Sequence, residues 1–188
     1  MRSYVFGLCV VMAFFAAVGK TAAVEIVSDR IVLPPERREV LSPSSRFVLV
    51  LATADKWKTP HGSAELYLVG TDERQLLWKR DLPHYHGPRR ALVSDKGEVL
   101  LVDEWINVAS RYALTIIDLE NRIVASYNAE QVFKTLGVPL REITHHAKAG
   151  PWITDGPVFS PDGKFALIMA GGRTLEVSLS DGRLTVRE

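Results

Sequence analysis

The chain has 188 residues, 47% hydrophobic and 24% charged, with 13 Gly, 10 Pro and a single Cys. Collagen-like, disulfide-scaffold and low-complexity compositions are thereby excluded, and one compact domain is the natural use of this length. The balance of 23 basic against 22 acidic residues generates no field of the kind nucleic acid requires, so no nucleic-acid partner is expected.

Arg2 is followed by an apolar run from Tyr4 to Val18, a polar break at Gly19-Lys20-Thr21, and the small residues Ala22-Ala23. A charged start, a short apolar core and a small-residue exit make a secretory signal peptide over 1–23. The competing reading is a membrane anchor, but a fifteen-residue run falls short of the roughly twenty needed to cross a bilayer. A secreted or periplasmic protein is expected, with no stable anchor after cleavage. Cys9 lies inside this leader, so the mature chain would have neither disulfide nor thiolate ligand. Losing Arg2 and Lys20 takes the net charge from +1 to −1.

The remainder, 24–188, reads as a single β domain: short runs of Val, Ile, Leu, Phe, Tyr and Thr broken by Pro, Gly, Asp and Ser. Three segments repeat when set side by side: Ser42-Pro43-Ser44-Ser45-Arg46-Phe47-Val48-Leu49-Val50, Ser94-Asp95-Lys96-Gly97-Glu98-Val99-Leu100-Leu101-Val102, and Ser160-Pro161-Asp162-Gly163-Lys164-Phe165-Ala166-Leu167-Ile168. Each is a tight turn entering an apolar strand. Each is followed by a hairpin, at Leu66–Trp78, Leu114–Ala125 and Leu175–Val186, and preceded by an entry strand at Arg37–Leu41, Arg90–Val93 and Pro157–Phe159. The turn spacings of 52 and 66 residues suit four-stranded antiparallel meanders in tandem, which is the blade of a β-propeller. The expected fold is therefore all-β and propeller-like. It has three blades, or four if Val24–Leu33 supplies further strands. A short open array, a homodimer completing the ring, and a sandwich mimicking the repeat remain alternatives. Asn128–Gly137 carries a cap-like Asn, apolar Val132, Phe133 and Leu136, and a terminal Gly. It predicts a short helix that opens an insertion over about 128–148.

The stretch Pro157-Val-Phe-Ser-Pro-Asp-Gly-Lys-Phe-Ala166 resembles the WD40-like repeat of Tol-type periplasmic propellers. The second copy matches less well and the first lacks the Gly. The resemblance implies a propeller fold and a binding or scaffolding surface rather than a shared chemistry.

In such a register the long loops, 54–63, 81–89, 103–110 and 128–156, leave one rim together. They carry all five histidines and three of the four tryptophans. Long loops on a rigid scaffold are common binding surfaces, which makes Trp57, His61, His84, His86, Trp105 and Trp152 candidate ligand-binding residues. The indoles would form a platform; the competing reading is that they plug the junctions between blades, favoured for Trp152. The expected partner is a protein or extracellular ligand.

His84-Tyr85-His86 places two imidazoles on one side of an extended stretch, and Glu142, His145 and His146 have helical i, i+3, i+4 spacing. Together, with Asp55, Asp103 and Glu104 nearby on the rim, they are candidate ligands for Zn²⁺ or another divalent metal. The competing reading is solvated or stacked loop histidines, and no complete motif such as His-Glu-x-x-His occurs. No cofactor is otherwise implied. Nucleophile and phosphate-loop motifs are absent from the sequence, so a binding or scaffold protein is expected, with a metal-dependent hydrolase as the alternative. Arg89-Arg90 and Glu36-Arg37-Arg38-Glu39 read as solvated faces.

Overall fold

The computed structural model of the chain describes residues 33–84, 86–103, 110–139 and 152–187. The leader and nearly all of Val24–Leu33 lie outside them. Three antiparallel meanders follow one another, each ordered in sheet as in sequence. The first contains β1 (Arg37–Leu41), β2 (Phe47–Ala52), β3 (Gly62–Val69) and β4 (Arg74–Leu82). The second contains β5 (Arg90–Val93), β6 (Val99–Val102), β7 (Leu114–Ile117) and β8 (Ile123–Tyr127). After α1 (Ala129–Leu136) comes the third, of β9 (Asp155–Phe159), β10 (Phe165–Ala170), β11 (Arg173–Ser178) and β12 (Leu184–Arg187). The first strands neighbour one another, β1 beside β5 and β5 beside β9. Each sheet is open.

The repeat serine does the same work three times. Its backbone N–H donates to the carbonyl of Phe47, Glu98 and Phe165 at 2.9, 2.8 and 2.9 Å. Its Oγ accepts from the backbone N–H of those same residues at 3.1, 3.1 and 3.0 Å. Each turn passes through one left-handed residue, Ser45 (φ 60°), Gly97 (φ 81°) or Gly163 (φ 68°). The first copy thus holds with a Cβ what glycine holds without strain in the others.

The side-by-side alignment needs one correction. The first and third turns place Arg46 or Lys164 between the left-handed residue and the strand, and the second turn places none. Glu98, not Val99, is therefore the counterpart of Phe47 and Phe165, as the pairings Leu41↔Val48, Val93↔Val99 and Phe159↔Ala166 require. With side chains alternating along a strand, one residue exchanges the two faces. In the corrected register Phe47, Leu49 and Leu51 point forward onto Val99 and Leu101 of the second sheet. Leu100 and Val102 in turn point forward onto Ala166, Ile168 and Ala170 of the third. Two cores result, one per junction.

Polar ties repeat across both junctions. Arg80 on β4 donates to the Asn121 carbonyl at 2.6 Å, and Tyr127 Oη on β8 donates to the Gly182 carbonyl at 2.9 Å. Arg80 and Tyr127 are counterparts, because they pair with Ala64 and Leu114. Asn121 and Gly182 are the left-handed residues of the receiving turns, at φ 65° and 76°. Nearer the first strands, the Arg38 guanidinium donates to the carbonyls of Pro88 and Arg89, and that of Arg90 to the carbonyl of Gly156. Arg38 and Arg90 both stand four residues before the repeat serine. Arg38 is half-buried and Arg90 exposed, and the solvated reading of these arginines is refined: each guanidinium also donates to a backbone carbonyl at or just before the next sheet. Glu36, Arg37 and Glu39 are exposed or nearly so, as expected.

The predicted helix is α1. Asn128 Oδ1 accepts from the Gln131 N–H at 2.9 Å, Gln131 Oε1 accepts from the Asn128 N–H at 2.9 Å, and Gly137 ends the helix at φ 61°. Val132 and Leu136 enter the second core. Tyr127→Phe removes one junction hydrogen bond and keeps the ring. It is expected to cost about 1 kcal/mol, read as a lowered urea midpoint with an unchanged denaturant slope.

Candidate functional site

Sequential meanders place the β2–β3 and β4–β5 connections at one end of the first sheet, and β6–β7 and β8–β9 at the same end of the second. The loops meet there in pairs. The His86 N–H donates to the Trp57 carbonyl at 3.1 Å, joining the first two connections. Trp152 Nε1 donates to the Asp103 carbonyl at 2.6 Å, joining the next two.

Trp57 is fully buried and its Nε1 donates to the Pro35 carbonyl at 3.0 Å. Its indole lies between two glycines: a Cβ on Gly62 would stand 2.1 Å from Cζ3, and one on Gly87 2.6 Å from Cδ2. The loop reaches this arrangement through two consecutive left-handed residues, Lys56 and Trp57, both at φ 61°. Such backbone is costly away from glycine and persists where packing over-determines it. Asp55 fixes the same loop by accepting from Thr53 Oγ1 at 2.8 Å, from Thr59 Oγ1 and from the Lys58 N–H. The Thr59 and Thr53 hydroxyls hold its carboxyl below the ordinary range.

Trp152 is also buried, with Phe133 of α1 edge-on at 6.3 Å between centroids. Neither ring offers a face to a ligand. Both indoles pack inside the junction cores, the position that the competing plug reading describes. Trp105 lies outside the described residues.

The histidines separate. His61 is exposed and His86 half-buried. His84 is 1% exposed, its ring tilted at 50° to that of Tyr112 with centroids 5.4 Å apart. His86 has φ 63°, not the extended backbone that the paired-imidazole argument needs. Glu142, His145 and His146 lie outside the described residues, as does Glu104. Among the described residues no group of three or more His, Cys, Asp or Glu is placed to hold a metal ion. The Asp118 carboxylate accepts from Arg122 at 2.7 Å and that of Asp155 from the Gly156 N–H at 2.7 Å.

What the sequence reading missed is a cavity of about 280 Å³ between the first two sheets, bordered by His84, Thr115 and Ser126. Its signal was present. Thr115 and Ser126 pair across β7 and β8 where Leu175 and Val186 pair across β11 and β12. The polar substitution becomes visible only once the one-residue gap is applied. Burial depresses the His84 pKa from 6.5 to about 4, and the Tyr112 backbone, beside the ring without completing a hydrogen bond, opposes this weakly.

Compared with protein-family models the chain matches none, and no curated protein is significantly similar to it.

Two outcomes follow from these environments. Trp57→Ala is expected to cost about 3–5 kcal/mol by denaturant titration, as a plug would. For His84, the folded pKa lies below the unfolded one, so the unfolded chain binds the extra proton. Stability is complete above pH 6.5 and falls as pH drops towards 4, by up to about 3 kcal/mol. His84→Leu should flatten that part of the stability–pH curve.

Proposed function

We propose that the chain is an exported, propeller-like binding or scaffold module, as its resemblance to WD40-like periplasmic repeats implies, and that a second copy completes its stack. Export rests on the leader-like segment at 1–23. The propeller reading is supported by consecutive meanders, neighbouring first strands and ties that recur at both junctions.

The observation that carries the partner is the state of the two end faces. Met169 stands where Leu51 and Val102 stand in the other sheets; they are 0% exposed and it is 45% exposed. Leu41 stands where Val93 stands; that residue is 0% exposed and Leu41 is 56% exposed. The forward face of the third sheet thus leaves Met169 open and the back face of the first leaves Leu41 open, although Val48 and Val50 of that back face are buried and Glu65 and Lys79 pair across it at 2.9 Å. Arg187 repeats the position of Arg80 and Tyr127, pairing with Thr174 as they pair with Ala64 and Leu114. It keeps the donor of the outer tie, turned meanwhile to Glu176 of its own sheet at 3.8 Å. The inner tie is not repeated, since Gly156 replaces the arginine. A sheet taken from a second copy satisfies this face with chemistry the fold already uses. The long-loop end, where His61 is exposed, is the surface assigned to a protein or extracellular ligand.

Sedimentation equilibrium is expected to give twice the chain mass at micromolar concentration. Met169→Glu should weaken the association at least tenfold while leaving monomer stability within about 0.5 kcal/mol, as surface substitutions do. A wild-type chain that stays monomeric at 50 µM, a concentration of about the weakest range for a stable dimer, overturns the proposal.

A further inference from the structure

The cavity between the first and second sheets has a structural cause. Within the third sheet, Leu175 and Val186 fill the back face and join the core against the second sheet. Within the second sheet, the same two positions are Thr115 and Ser126. Two hydroxyl side chains replace two larger apolar ones, and the space of about 280 Å³ opens in front of them. Leu82, Leu101 and Ile117 wall it with the apolar atoms of the first core. Ile123, 55% exposed, borders it near solvent.

Its polar groups are not consumed by the fold. Thr115 Oγ1 and Ser126 Oγ stand 3.4 Å apart, a long contact for two hydroxyls. His84 borders the cavity from the first sheet, and neither of its ring nitrogens has a hydrogen-bond partner among the described residues. A buried imidazole with both nitrogens unpaired is costly, by about 1–3 kcal/mol for each unsatisfied group. Neutral imidazole offers one donor and one acceptor. Arg80, the cation at the border, is already given to the Asn121 carbonyl.

We infer that this cavity binds a small uncharged molecule with an apolar body and one hydroxyl group, a phenol or simple alcohol, held by His84 with Thr115 and Ser126. The hydroxyl accepts from a threonine or serine hydroxyl and donates to a His84 nitrogen, which is enclosed in this structure and is reached by a turn of the ring toward the cavity. The apolar body covers Leu82, Leu101 and Ile117. The volume lies just under the ~300–1,000 Å³ typical of pockets for drug-sized ligands, so the occupant is a single ring or its equivalent. Burial that keeps the imidazole neutral disfavours a carboxylate, which would need a cation. The inference is independent of self-association, because both walls come from one chain.

The test titrates the full chain with 4-methylphenol, toluene and 4-methylbenzoate, followed by calorimetry and by ligand-observed NMR. Binding of 4-methylphenol in the range of about 0.1–1 mM is expected, with toluene at least tenfold weaker, the worth of about one hydrogen bond, and 4-methylbenzoate weaker still. Thr115→Leu with Ser126→Val rebuilds the third sheet's pair and should abolish binding. His84→Leu should bring 4-methylphenol and toluene to equal affinity. Wild-type protein that does not bind 4-methylphenol at 10 mM, about ten times that expected limit, overturns the inference. So does toluene binding as tightly as 4-methylphenol, or a folded Thr115→Leu/Ser126→Val chain that binds it unchanged.

Discussion

Side chains alternate from face to face along a strand, so the number of residues between a turn and the first ladder pair decides which of them meet the next sheet. In this protein that number is set by a serine. Ser42, Ser94 and Ser160 each close the turn with a backbone N–H and an Oγ directed at the residue that enters the following strand, Phe47, Glu98 or Phe165. The second turn is one residue shorter, and its strand stays in phase because Glu98 takes the place that phenylalanine occupies in the other two. Had the strand entered one residue out of phase, Leu100 and Val102 would have exchanged faces with Val99 and Leu101; all four are apolar, so the phase decides which of them meets which neighbouring sheet rather than whether each face is apolar.

Once the faces are fixed, the junctions are built by recurrence. Each has an apolar layer, an outer donor on the fourth strand and an inner arginine on the first. These donors are aimed at backbone carbonyls, which any turn presents whatever its side chains. That explains how one junction uses a guanidinium and the other a phenol at the same position. The tryptophans belong to the same construction. Trp57 seals the loops over the first core and Trp152 those over the second, each with its Nε1–H spent on a backbone carbonyl.

Against that regularity, the junction between the first two sheets holds the exception. Thr115 and Ser126 break the apolar layer, and His84, buried and unpaired, borders the gap they leave. A chain selected for packing alone would carry the aliphatic pair that its own third sheet carries at these positions. Local rules fail where a site is built, and this is the one place in either core where a buried ring nitrogen, two hydroxyls and an open volume coincide among the described residues.

The amino-acid sequence by itself determined the strands, the helix and their order. The signals for these are local: β-branched runs between turn residues, the Asn128 and Gly137 caps, and a serine-led turn written three times. It also determined that the long loops share an end, since that follows from meander connectivity alone. It did not reveal that Arg38 and Arg90 reach across to the next sheet, that Trp57 is enclosed by Gly62 and Gly87, or that His84 and His86 part company. Each of those depends on groups brought together from distant parts of the chain. Only the tertiary structure decided them, because burial is a property of what packs above a residue, and a one-residue difference in a turn is enough to change what that is.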